Sequence, residues 1–132
     1  MSDSIEVLVV GADCSVRLGT MPRGGGLDYL QSQVANGTGE SRGWVECVAF
    51  PRYDLWCHED GKVVGLPENK VATALLRHTH GGEDYVVGDV VLTGPVDDYG
   101  YSTSLPGYII EAVARISEVV RLMPRTFAVT PL

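Results

Sequence analysis

The residues able to do chemistry fall into four groups, and each has a plain structural use to compete with. Sulfur and imidazole form the first: Cys57-His58 and His78-Thr79-His80, with Cys14 or Cys47 to be added by folding. A closed zinc site needs four ligands in tetrahedral reach, commonly seeded by a short-spaced pair such as C-x2-C. No such pair occurs. Neighbouring residues on a strand point to opposite faces, so Cys57 and His58 are not expected to share a site. His78 and His80 straddle the end of a helix, where a charged imidazole is favourable to the C-terminal carbonyls. No metal and no cofactor is assigned. Nucleophilic catalysis fares no better, because the G-x-S-x-G elbow is missing and nothing near a cysteine promises an electropositive pocket to lower its pKa. The carboxylate pairs Glu59-Asp60, Glu83-Asp84 and Asp97-Asp98 fall in expected turns, where acids are solvated and make turn hydrogen bonds. No catalytic residue is assigned.

Two groups carry more. Arg23-Gly24-Gly25-Gly26 runs straight into a helix, and free N–H groups at a helix start beside an arginine suit an anion such as a nucleotide phosphate. Neither G-x-G-x-x-G nor the P-loop pattern is matched there or at Gly61-Lys62. The other group is PVDDYGYSTSLPGY, Pro95 to Tyr108, with Tyr99, Tyr101 and Tyr108 set among glycine, serine and acids. Tyrosines on an adaptable loop supply contact area at little entropic cost. Tyr99, Tyr101, Asp97 and Asp98 are therefore the partner-binding candidates, and Arg23, Gly24, Gly25 and Gly26 the ligand-binding ones.

The elements that must position these groups follow from periodicity. Ile5 to Val10 is a continuous apolar run, the pattern of a strand buried on both faces. Val16, Leu18 and Thr20 alternate on a second strand paired back on it. Leu27, Leu30 and Val34 recur at helical spacing and stop at Asn36-Gly37. Trp44 to Phe50 alternates as a strand ended by Pro51. Tyr53 to His58 and Lys62 to Leu66 are expected to form a hairpin around Glu59-Asp60-Gly61, where Gly61 can adopt the positive φ the turn needs, with Trp56 in the core. Asn69 is placed as an N-cap for a helix that ends before His80. Tyr85 to Thr93 is a strand broken by a bulge or bend at Gly88-Asp89. Ser104 is a candidate cap and Pro106 a first-turn residue for the clearest helix, whose apolar positions run from Leu105 to Met123 and which Pro124 stops. Thr126 to Thr130 is expected as an edge strand. The predicted class is α+β: a mixed, mainly antiparallel curved sheet with two short helices and one longer C-terminal helix.

Bulk properties bound the function. A chain of 132 residues fits one domain. A formal charge of −7 repels the phosphates of DNA and RNA, so no nucleic acid is expected as partner. Three cysteines without a spacing repeat suit a reduced compartment, and the acidic N-terminus is no signal peptide. The expected setting is cytoplasmic, with no membrane partner.

The turns, cap and buried strand of the central stretch carry a resemblance. Gly43-Trp44-Val45-Glu46-x-Val48, Leu55-Trp56, Glu59-Asp60-Gly61-Lys62, Gly65-Leu66-Pro67-x-Asn69, Ala72-Thr73 and Gly88-Asp89-Val90-Val91-Leu92-Thr93-Gly94 resemble an uncharacterised family of small domains of unknown function found in actinobacteria and their phages. The resemblance covers residues 27–105, with residues 36–42 and the helix at 106–123 as additions. It implies a phage-type accessory protein and carries no catalytic residue. The resulting expectation is a non-enzymatic binding protein that modulates a host protein or a defence component, with a homodimer among its assemblies. The alternatives are a protein that binds or sequesters a small nucleotide-like signal at Arg23 to Gly26, and a metal-assisted enzyme.

Overall fold

The computed structural model describes residues 3–123. In chain order the elements are β1 (Ser4–Val10), β2 (Val16–Pro22), α1 (Leu27–Val34), β3 (Val45–Ala49), β4 (Asp54–His58), α2 (Lys70–His80), β5 (Val90–Val96), β6 (Ser102–Thr103) and α3 (Gly107–Leu122). The strands form one antiparallel sheet in the order β2-β1-β5-β4-β3, with β6 pairing β5 off that path. The class is α+β, as the pattern of strands and helices implies. No helix among the described residues is long and apolar enough to cross a membrane.

The apolar run of β1 is explained by two cores. Leu8 and Val10 join Leu55, Val90 and Leu92 in a cluster that also takes Val71, Ala72 and Leu75 of α2 and Val113 of α3. Ile5, Val7 and Val9 point the other way, into a cluster with Met21, Val91 and Leu30 of α1. Period-two alternation of side chains thus serves two layers of helix at once. β1 is held in register by β2 from Ser4↔Pro22 to Val10↔Val16 and by β5 at Leu8↔Leu92.

Asn69 is the joint of the fold. It is fully buried, and its Oδ1 accepts from the backbone N–H of Ala72 at 3.0 Å, capping α2. Its Nδ2 donates to the carbonyls of Val10 and Gly88 at 3.0 and 2.8 Å. One amide therefore binds the end of β1, the start of α2 and the entry to β5. Thr73 continues the seam, accepting at Oγ1 from the N–H of Val86 at 2.9 Å, and Arg77 donates to the carbonyls of Glu83 and Asp84.

Four expectations need correction. The predicted hairpin partner of β4, Lys62 to Leu66, is not a strand; β4 pairs with β3 from Val45↔His58 to Ala49↔Asp54. The turn between them is tight, closed by Phe50 N–H to the Tyr53 carbonyl at 2.9 Å. Residues 60–66 instead wind on themselves, with Val64 N–H donating to Asp60 and Leu66 N–H to Gly61. Val63 is left 87% exposed, so its β-branched character reports no burial. Ser104 does not cap α3, which begins after Pro106 with no side-chain cap; its hydroxyl accepts from Glu6 N–H instead. The strand expected from Tyr85 begins only at Val90, because Gly88 takes a φ of +75° that ends regular pairing. The helix α2 runs through His80, one residue further than expected. The strand expected at residues 126–130 lies outside the described residues.

Candidate functional site

The two candidate groups, far apart in sequence, meet in space. Arg23 follows the end of β2, and Asp97 follows the end of β5. The Arg23 guanidinium donates to Asp97 Oδ2 at 2.5 Å and lies 4.7 Å above the ring centroid of Tyr101.

Local chemistry builds the tyrosine side of this contact. Asp97 Oδ1 accepts from the N–H groups of Tyr99 at 2.9 Å and Tyr101 at 3.0 Å. The Asp97 N–H donates to the Tyr101 carbonyl at 2.8 Å, and Gly100 N–H returns to the Asp97 carbonyl at 3.0 Å. Gly100 supplies the positive φ, +85°, that closes so tight a turn. An aspartate bonding to backbone two residues on is the usual nucleus of such a turn. The Tyr101 N–H, then Arg23, then the Tyr99 N–H hold the Asp97 carboxyl below its ordinary pKa. The result is a clamped turn that presents Tyr99 82% exposed and Tyr101 44% exposed. Asp98 is exposed beside them.

The arginine side looks less like an anion cradle than its sequence suggests. The Arg23 charge is met by Asp97. Gly26 leads into α1, whose first turn already carries Asp28, a carboxylate favourable to the N-terminal dipole. Gly25 has a φ of +78°, and Gly24 lies against Tyr101, its Cβ direction 3.7 Å from the ring. Met21, Arg23, Gly26, Leu30, Trp56 and Tyr101 line a hollow of about 180 Å³. That is smaller than the roughly 300–1,000 Å³ of a typical small-ligand pocket. Trp56 is half-buried at its floor and donates from Nε1 to Thr93 Oγ1 at 3.0 Å, so this tryptophan joins core to surface. Tyr108 stands apart on α3, its hydroxyl 3.5 Å from Arg52 Nη1.

The sulfur and imidazole candidates separate. His78 and His80 are exposed at the end of α2, and His80 packs 4.9 Å from Phe50. Cys57 and His58, expected on opposite faces, both line a cleft of about 260 Å³ with Glu46, Lys62 and Asp84, because His58 ends its strand. Burial, then the Glu46 carboxylate, push the Cys57 thiol up to about 12. Carboxylates beside a thiol work against thiolate formation. Lys62 is engaged by Asp84 at 2.6 Å and by the Tyr85 ring. Among the described residues no three His, Cys, Asp or Glu side chains gather where a metal ion could be held.

Sequence reasoning missed a cleft of about 580 Å³ walled by Ala12, Asp13, Ser15, Asn36, Pro67 and Asp89. Its polar groups already have partners within the chain: Asp89 accepts from Ala12 N–H at 3.0 Å and from Asn36 Nδ2 at 2.8 Å, and Arg17, also on its wall, donates to Gln33 Oε1 at 2.7 Å. The only signal in the sequence was Gly88-Asp89, which reads as a bend.

The family described as Domain of unknown function (DUF3846) matches residues 39–119. The match begins and ends later than the resemblance read from the motifs, taking in most of α3 and leaving out α1. No curated protein and no solved structure matches the chain.

Proposed function

The chain belongs to the DUF3846 family, and from that premise we propose that it acts by binding another protein through the turn that carries Tyr99 and Tyr101. The observation that carries this reading is the exposure of Tyr99, 82%, on a turn whose backbone is held by Asp97 and whose base is held by Arg23. A rigid turn has less freedom to lose on association, and a tyrosine fixed on it offers an apolar ring with a polar tip. Asp98, exposed beside it, favours a partner surface of opposite charge, while the charge of Asp97 is already met by Arg23. In biological terms the proposal is a phage-type accessory protein that engages a host protein or defence component in the host cytoplasm.

The test compares wild type with Tyr99→Ala and Tyr101→Ala as baits in an actinobacterial lysate, with thermal unfolding of each bait measured alongside. Tyr99 is so exposed that its removal is expected to leave the melting temperature unchanged. Proteins recovered by wild type and lost by both folded variants support the reading. Equal recovery by all three, or nothing above background with wild type, refutes it.

A further inference from the structure

Helix α3 carries more apolar surface than its own fold uses. Val113 and Ser117 are its buried residues, with Ile109, Ile110, Ile116 and Val120 packed at the edge of the core. Turned away from that line are Tyr108, Ala112, Arg115, Val119 and Leu122. Their spacing is 4, 3, 4, 3, the recurrence by which one helix lies along another. Val119 is 60% exposed, Leu122 77% and Tyr108 54%. Beside this stripe Ala74 of α2, with Ala112, Ile116, Val119 and Met123, walls a groove of about 500 Å³.

We infer that this face is a homodimer interface, in which α3 packs antiparallel on α3 of a second copy. The charges on the stripe select that occupant. Arg115 lies in the middle of the apolar row, and neither it nor Glu111 has an ion pair or side-chain hydrogen bond among the described residues. A two-fold axis that sets Arg115 opposite Ala112 of the second copy gives the long side chain room over a small one. It also brings Arg115 beside Glu111 of that copy. Because a two-fold interface repeats every contact, the same geometry delivers the reciprocal pair and sets Tyr108 opposite Val119 twice. A strip one helix wide and about 24 Å long is small for a stable interface, so the dimer is expected to depend on concentration in the micromolar range.

Sedimentation equilibrium of the full chain tests this. The mass is expected to rise with concentration from one chain, 14.2 kDa, towards two. Val119→Asp, at an exposed position, is expected to hold the protein at one chain while its circular dichroism stays that of wild type. Arg115→Glu is expected to weaken association at least tenfold, and Glu111→Arg combined with Arg115→Glu to restore it. A wild type that stays monomeric through several hundred micromolar overturns the inference, as does a dimer indifferent to Val119→Asp. Failure of the double swap to restore association overturns the register. Protection of the α3 face in a monomer, by residues 124–132 or by a different protein, overturns it as well.

Discussion

Asn69 offers the sharpest test of how this fold is held together. Replacing it with Ala removes a cap, about 1 kcal/mol, and takes a donor from the carbonyls of Val10 and Gly88. Each buried group that loses its partner costs about 1 kcal/mol or more, so Asn69→Ala is expected to lose about 2–4 kcal/mol. Asn69→Asp is nearly isosteric and keeps the Oδ1 acceptor for Ala72, yet it should be worse. Its second oxygen would face two carbonyl oxygens where the amide nitrogen now sits 3.0 and 2.8 Å away. An unpaired buried charge costs about 3–5 kcal/mol, a large share of the roughly 5–15 kcal/mol that holds a domain together. The pH dependence has a definite sign. Burial raises the pKa of the introduced carboxyl in the folded state above its unfolded value near 3.9, so the folded protein binds that proton more tightly. Stability relative to wild type is therefore regained as pH falls through the folded-state pKa, and the deficit is greatest at neutral pH. Urea unfolding followed by circular dichroism, at pH 7 and pH 4, measures both. An Asp variant within about 0.5 kcal/mol of wild type at pH 7, the range of an ordinary surface change, would refute the assignment of that amide as a donor to both carbonyls.

Other outcomes follow from single contacts. A Cβ at Gly94 would lie 2.3 Å from the Ser104 carbonyl oxygen and 3.0 Å from its carbon, so Gly94→Ala is expected to cost about 2–3 kcal/mol in the same urea assay. The raised pKa of Cys57, about 12, predicts alkylation by iodoacetamide at pH 8 at least about tenfold slower folded than in urea; mass spectrometry of the peptide reads it, and equal rates would contradict the burial. Asp97, with its folded pKa lowered, contributes order to the tyrosine turn above the ordinary carboxylate range and loses it as pH falls through the folded value. Tyr99 and Tyr101 amide resonances should shift with that titration and be already shifted in Asp97→Asn. Resonances that ignore both changes would contradict the turn.

Patterns made by neighbours along the chain were legible in the sequence, and patterns made across the sheet were not. The two-sided burial of β1, the capping role of Asn69 and the start of α1 at Leu27 all follow from local spacing and residue type. Lys62 to Leu66 misled because Val63 and Val64 have strand propensity, while nothing nearby could say that β3 would already occupy the edge of β4. Propensity without a partner strand is a weak warrant. Gly61 misled in the same way: it is a site of close approach, where a Cβ would come within 2.7 Å of Val87, and not a residue of positive φ. At the candidate site, the types of Arg23 and of the tyrosines were legible, but their meeting was not. Arg23, after β2, and Asp97, after β5, are brought together by the pairing of β1 with both strands, which no spacing records.

Residues 39–119 stop short of β1, and that boundary has a physical consequence. Stripped of β1, the inner edge of β5 at Val90 to Leu92 would be left open, and Asn69 would have lost one of its two acceptors. A strand so apolar cannot rest against water; it recruits whatever backbone is nearest. The matched stretch is therefore shorter than the unit that folds, because β5 of this chain takes its neighbour, β1, from outside residues 39–119.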